Sequence, residues 1–478
     1  MMKFTPKIDK YVNDYISQKE NIKNICNMCG SPCNVIFPEL MKNNINEFND
    51  VFNKYRLKSK IFYAHKSNKS DSFVKQALYD EICIDVASEN ELKSALSNGF
   101  ISDRIEATGP KNDSFIILGV QHLITFNVDS IEELNTIISY MKQINSNKKI
   151  KILLRISGFK SDNTKIISKS SKFGINISNV DEALKIIIEN LNIVNFIGFS
   201  FHLDTTAIKE KVIAIENLIN LFELAYEYNL NPYVIDIGGG YKVNYLLNKD
   251  EWNSSITSLK KCILGSNEDL TWNKNSYGLH QENKVLRGAL NIYNYYDDLT
   301  GAKYLDELLS TKMVKYENRC IGDILSENML EIYIEPGRAL LNQMGITISK
   351  VTFCKQNDKS DNIIGLDMKR NDITMEDQDL FIDPIIISDN VKEKEQIGVY
   401  FSGNLCLETD LIFKHKVFVN VLPKKDDYVI FVNTAGYFMD FSATNSIKQN
   451  IAQKIVAIKK DNKYIHYMDK EYNPYIKN

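Results

Sequence analysis

What most restricts the fold of this chain is a rhythm. Eight short runs rich in β-branched and aromatic residues alternate with stretches of helical periodicity. The runs are IFYAHK (61–66), CIDVA (83–87), RIEATG (104–109), LITFNV (123–128), KILLRI (151–156), FIGFSFHL (196–203), YVIDIGGG (233–240) and EIYIEPGR (331–338). Amphipathic segments such as 72–79, 89–98, 130–143, 180–190 and 207–228 lie between them. Strands alternating with helices build parallel sheets, and eight such units close most economically into a (β/α)8 TIM barrel, an α/β fold.

The rhythm breaks once. About ninety residues separate Gly240 from the run at Glu331, far more than an ordinary βα connection. This segment, 241–330, carries Trp252, Trp272 and the run NIYNYYDD, and it reads as a helical excursion inserted into the barrel. After residue 345 the texture changes to strand-like runs separated by turn residues, including GITISKVTFCK, QIGVYFSGNLC, DYVIFVNTA and KIVAIKK. They predict a C-terminal all-β domain, which the apolar run CNVIFPEL (33–40) is expected to join as an N-terminal strand. The expected division is an N-terminal segment over 1–45 contributing to the β domain, a barrel over 46–344 with its insertion, and the β domain over 345–478.

Charge and hydropathy narrow the partners. Lys and Arg number 58 against 61 Asp and Glu, a net charge of -3, so no basic excess points to nucleic acid. No stretch reaches the ~18 apolar residues of a membrane span, and the first residues lack the apolar core of a leader. The expectation is a cytoplasmic protein acting on a small molecule, with its eight cysteines reduced. Cys26, Cys29 and Cys33 in CNMCGSPC have suggestive spacing, but no second ligand pair follows nearby, so no metal is assigned.

Barrel enzymes place their chemistry at the C-terminal ends of the strands. Here Lys66 ends the first run, Asp85 lies in the second, Arg155 in the fifth and His202 near the end of the sixth. Gly238, Gly239 and Gly240 end the seventh, and Glu335 with Arg338 the eighth. Three successive glycines let backbone N–H groups ring an anion where a Cβ would obstruct, which suits a phosphate. A lysine facing such a loop, with an acid nearby, is what pyridoxal 5'-phosphate (PLP) chemistry requires. The amine binds the aldehyde, the glycines hold the phosphate, and a carboxylate keeps the pyridine nitrogen protonated. Glu335 would be that carboxylate, with His202 stacked on the ring.

The ordered set YAHKSN, DVASENEL, SKFGI, FSFHLDTT, IDIGGGY, IEPGRALL, GNLCLETD and AGYF, running from Tyr63 to about Tyr437, resembles the fold-type III PLP-dependent decarboxylases of the ornithine, diaminopimelate and arginine group. The resemblance implies an alanine racemase-like barrel, a β domain, and a homodimer whose active sites are shared between subunits. It also implies an amino acid substrate. Lys66 matches the Schiff-base lysine and His202 the ring-stacking histidine. Asp85 and Glu91 match the supporting acids, and Arg155 the supporting arginine. Thr205, Gly238, Gly239, Gly240, Arg338 and Tyr437 match the phosphate cradle, and Glu335 the pyridine partner. Cys406 and Asp410 match residues offered by the second subunit, the cysteine managing protonation of the carbanion.

Several positions depart from that pattern. Leu407 stands where these enzymes commonly carry an acid for the distal amine, and Asp383-Pro384 occupies the region of an Arg-Pro pair in diaminopimelate enzymes. Asp204 replaces a small residue, and Asn445 stands where an aromatic is usual. Asp383 or Glu408 is the carboxylate that would meet an ammonium group of the substrate. The resulting expectation is decarboxylation of a diamino acid or an amino acid conjugate. A racemase or epimerase and a non-catalytic decarboxylase-like regulator remain as alternatives, the former disfavoured because racemases of this fold place an arginine at the ring nitrogen.

Overall fold

The computed structural model describes residues 1–144, 146–159, 171–203, 205–265, 269–375, 378–389 and 396–476. They divide into two compact units. One comprises 41–242, 299–340 and 473–476, and the other 1–40, 243–298 and 341–472.

The first unit is the barrel. Its strands are β1 (Ser59–Ala64), β2 (Cys83–Val86), β3 (Ile105–Ala107), β4 (Thr125–Val128), β5 (Ile150–Ser157), β6 (Val194–Ser200), β7 (Val234–Asp236) and β8 (Glu331–Ile334). They pair in parallel in the order β4-β3-β2-β1-β8-β7-β6-β5, and β4 pairs with β5 to close the ring. These are the eight runs read from the sequence. Each is packed on both faces, by helices outside and side chains inside, which explains their continuous apolar character. The helices are amphipathic in the usual way. Val180–Glu189 buries Val180, Ala183, Leu184 and Ile187 at helical spacing and carries Asp181 and Glu182 at its positive end.

Alternation along the strands then layers the interior. Phe62, Cys83, Leu153, Ile197, Val234 and Tyr333 form one apolar layer. Residues two apart on a strand share a face. Cys83 is therefore followed inward by Asp85, Leu153 by Arg155, Val234 by Asp236 and Tyr333 by Glu335, so an apolar floor carries a layer of ionisable groups.

The second unit is built on a curled nine-stranded sheet. Cys33–Ile36 lies between Gly345–Gln356, to which it is antiparallel, and Gln453–Lys460, to which it is parallel. The early apolar run thus joins the β sheet as a strand. Two further strands, Asn362–Leu366 and Ile385–Ile387, lie outside the strand-like runs read above.

The segment 241–330 is not one insertion in the barrel, and its reading as such is corrected. Residues 243–298 belong to the β unit, where they contribute a helix, Lys249–Ile263, and a hairpin, Leu279–Glu282 with Val285–Gly288. Residues 299–330 belong to the barrel and supply the helices Gly301–Ser310 and Ile321–Glu327. Aromatic packing accounts for the first assignment. The Tyr295 ring stacks on Phe438 at 6.3 Å, and Trp252 packs 6.0 Å from both Phe4 and Tyr295.

Candidate active site

At the C-terminal ends of the barrel strands lies a cavity of about 690 Å³ whose lining includes Lys66, Asn127, Arg155, Phe173, His202 and Glu335. Lys66 stands on the single 3-10 turn His65–Ser67 that ends β1, half-buried. Four of the residues expected at the site from sequence therefore line one cavity: Lys66, Arg155, His202 and Glu335.

Their supports are specific. Arg155 Nη1 lies 3.3 Å from Asp129 Oδ1, and its guanidinium covers the Phe173 ring at 4.8 Å. Glu91 accepts a hydrogen bond from the Ala87 N–H at 2.7 Å, and its own N–H is received by the Ser88 hydroxyl that caps the helix Glu89–Ser97. Asp85 accepts from the Thr108 hydroxyl at 2.7 Å. His202 Nδ1 lies 3.5 Å from Glu335 Oε2 and 3.3 Å from the Gly239 nitrogen. It thus sits between a carboxylate and an N–H donor, and its proton occupancy decides which of the two it bonds.

The glycines are where the backbone needs them. Gly238 and Gly240 have φ of +64° and +87°, in the region that side chains disfavour. A Cβ on Gly239 would stand 2.6 Å from the Glu335 carbonyl oxygen. The loop is thereby free of side chains; a Cβ on Gly240 would stand 3.6 Å from the Thr205 carbonyl oxygen, and the Thr205 hydroxyl accepts from the Ala207 N–H at 3.0 Å. Arg338 lies half-buried in the turn after β8. Asp204 lies outside the described residues.

Three buried acids that the sequence reading did not bring together meet below the cavity. Carboxylate oxygens of Glu106, Asp236 and Glu335 lie within 4.8 Å of one another. Glu106 accepts from Asn127 Nδ2 at 2.9 Å and Asp236 from the Gly238 N–H at 2.8 Å, while Glu106 Oε2 and Asp236 Oδ2 are buried with no donor among the described residues. Like charges this close cannot all ionise. Burial, reinforced by the charge of Glu335, raises both Glu106 and Asp236 well above the carboxylate range. Burial and Glu335 likewise push Asp85 up to about 7. Glu335 goes the other way. Burial opposes it, but His202 and then the Lys66 and Arg155 charges hold it down to about 2. His202 is drawn below its ordinary value by burial, with Glu335 opposing. A carboxylate kept ionised beside carboxyls kept neutral is a prepared electrostatic asymmetry.

The remaining expected residues belong to the β unit. Cys406 and Glu408 are exposed in a loop with Leu407, which is 61% exposed. Tyr437 is half-buried at φ +73°, against Phe441. Asn445 is exposed. Asp383 and Asp410, expected from sequence as substrate groups, are bonded to backbone. Asp410 is buried, and its two oxygens accept from the Arg370 and Leu405 N–H groups at 2.9 Å each. Asp383 accepts from the Phe4 N–H at 2.7 Å, and burial raises it to about 6. Both carboxylates hold backbone together, a role that neighbouring sequence does not disclose. The thiols of Cys26 and Cys33 lie 3.6 Å apart, and Cys29 does not complete a three-ligand group with them among the described residues.

Comparison with known proteins agrees with this geometry. The family described as pyridoxal-dependent decarboxylase, pyridoxal binding domain, matches residues 17–270. The protein y4yA of Sinorhizobium fredii is 27% identical over 86% of this chain and 84% of its own length. Diaminopimelate decarboxylase of Staphylococcus aureus is 23% identical over 87% and 86%. The crystal structure of diaminopimelate decarboxylase from M. jannaschii superposes with a TM-score of 0.67 at 20% identity, covering 93% of this chain and 90% of the other.

Proposed function

This chain belongs to the pyridoxal-dependent decarboxylase family, and from that premise we propose that it removes the α-carboxylate of a diamino acid or a related amino acid conjugate, with Lys66 as the amine that holds the cofactor. The cofactor of the family is PLP, and the residues present fit it: a side-chain-free loop for a phosphate, a lysine in the cavity, and a carboxylate for a pyridinium. When bound, PLP supplies the electron sink for the carbanion left as CO2 departs. Everything else is the chain's own work.

The observation that carries the reading is the placing of Glu335 in one cavity with Lys66, Arg155 and His202, its carboxylate 3.5 Å from His202 Nδ1, where against burial the His202, Lys66 and Arg155 charges hold it down to about 2. A carboxylate there would face the ring nitrogen of a bound PLP and favour its protonated form, where a cation would disfavour it. The neutral carboxyls of Glu106 and Asp236 beneath it add no competing charge. Gly238, Gly239 and Gly240, with Thr205 and Arg338, would orient the phosphate, and the partly exposed His202 ring would cover the cofactor face. Arg155, fixed by Asp129 and Phe173, and Glu91, fixed at Ala87, would position the groups around Lys66.

The exposed loop of Cys406, Leu407 and Glu408 supports a homodimer in which a second copy presents these side chains, Cys406 to return a proton to Cα and Glu408 to meet a distal ammonium.

The test is CO2 release by the PLP-loaded protein from D- and L-amino acids, including ornithine, lysine, arginine, diaminopimelate and conjugates carrying a carboxylate. Release from one member, abolished by Lys66→Ala, is expected. Turnover undiminished in Lys66→Ala, or racemisation without CO2, would overturn the proposal.

A further inference from the structure

Lys211 has no assigned part in the reaction, yet its setting is unusual. It lies in the first turn of the helix Ile208–Glu227 with no exposed surface. Its Nζ donates to the Gly239 carbonyl oxygen at 2.6 Å and lies 5.0 and 5.4 Å from the ring centroids of Tyr241 and Tyr304. Among the described residues no carboxylate comes within ion-pair distance of it. A buried ammonium without a counter-ion is a costly thing to keep in a fold, and aromatic faces with one carbonyl compensate it only in part. Burial draws the amine down to about 8, with Asp236 and then Glu335 opposing. Burial, with the Glu335 charge, raises Asp236 well above the carboxylate range, and Glu335 also faces Lys66 and Arg155, while among the described residues neither carboxylate makes an ion pair with Lys211.

What Lys211 does face is the glycine loop. Among the described residues its hydrogen-bond acceptor is the peptide of the middle glycine, and a Cβ on Gly240 would stand 3.7 Å from Nζ. We propose that Lys211 is the buried countercharge of the cofactor's phosphate, a positioning residue that fixes the Gly239 peptide and keeps positive potential beneath the Gly238–Gly240 cradle. When bound, the phosphate would supply the negative charge that Lys211 lacks among the described residues. This rests on the reading of the glycine loop as the phosphate cradle.

The experiment compares binding of PLP and of pyridoxal, which lacks the phosphate, by absorbance titration of the full-length apoprotein, together with the Tm of apo and PLP-loaded forms. Lys211→Met removes the charge at similar volume, and Lys211→Gln keeps a donor for Gly239 without the charge. In both variants PLP affinity is expected to fall by about 10- to 100-fold while pyridoxal affinity holds within about twofold, the effect of losing one charge-assisted interaction. The apo Tm should stay level or rise, because an uncompensated buried charge has gone, while the gain in Tm on adding PLP shrinks. A PLP-to-pyridoxal preference unchanged in both variants would overturn the proposal, as would equal losses of Tm in apo and loaded forms, the mark of a merely structural lysine. If Lys211→Met is insoluble, Lys211→Gln alone decides. Wild-type protein that bound PLP no better than pyridoxal would instead remove the cradle reading itself.

Discussion

Both units of this molecule bury ionisable side chains, but they treat them differently. In the β unit several of these charges are paired with one another. Asp379 lies 3.3 Å from His415 Nδ1, accepts from the Tyr277 hydroxyl at 2.6 Å and receives the Lys414 N–H. Lys369 lies 3.2 Å from Asp372, and Lys454 lies 2.7 Å from Asp440. The barrel does the same with Lys111 and Glu133, at 2.7 Å. Around its cavity, however, acid is stacked on acid through Glu106, Asp236 and Glu335, and among the described residues Lys211 has no carboxylate partner. A self-contained polar network stabilises a fold, whereas one left incomplete marks where a ligand finishes the structure.

That contrast can be broken by experiment. The largest effect is expected from Asp379→Ala, which strands His415, Tyr277 and the Lys414 amide in the β unit. Stability should fall by about 3–5 kcal/mol in chemical denaturation, equally with and without PLP. A loss that PLP rescued would place Asp379 in the ligand-linked class and erase the distinction.

Asp85→Asn should act in the opposite sense. Burial, with the Glu335 charge, raises the folded pKa of Asp85 from the ordinary carboxylate value of about 4 to about 7. The folded state therefore binds more protons between those values, and the apoprotein loses stability as pH rises from about 4 to 7. The asparagine variant should lack that slope and gain on the order of 2–4 kcal/mol over wild type at pH 7. Parallel pH profiles for the two apoproteins would contradict it.

The smallest effect is Tyr277→Phe, which removes one of several donors to Asp379 and should cost about 1–2 kcal/mol with no change in PLP affinity. A shift in cofactor binding on this change would show that the β unit's network is not self-contained.

The barrel was legible because every strand is a short run of β-branched and aromatic residues between amphipathic segments. Lys66, His202, Glu335 and the glycines were legible because they cluster at strand ends. Asp236 and Glu106 were visible in YVIDIGGG and RIEATG but read as parts of strands. The step from Val234 to Asp236, matching that from Tyr333 to Glu335, was the available signal that Asp236 points inward. Lys211 gave none, since a lysine in the first turn of an amphipathic helix ordinarily faces solvent. The split of 241–330 was hidden for another reason: it depends on Tyr295 meeting Phe438 and Thr271 bridging to His415, pairings far apart in sequence that no local pattern encodes.

The place of Cys33–Ile36 in the sheet bears on how the protein comes into being. Its parallel neighbour pairs Cys33 with Gln453, so 420 residues must be added before this strand acquires that edge. At roughly 5–20 residues per second the ribosome takes about 20–80 s over that interval. The barrel strands, complete at Ile334, can close earlier. For that time an apolar β-strand waits with an open edge, and its protection during synthesis falls to the barrel-first order of emergence or to a chaperone.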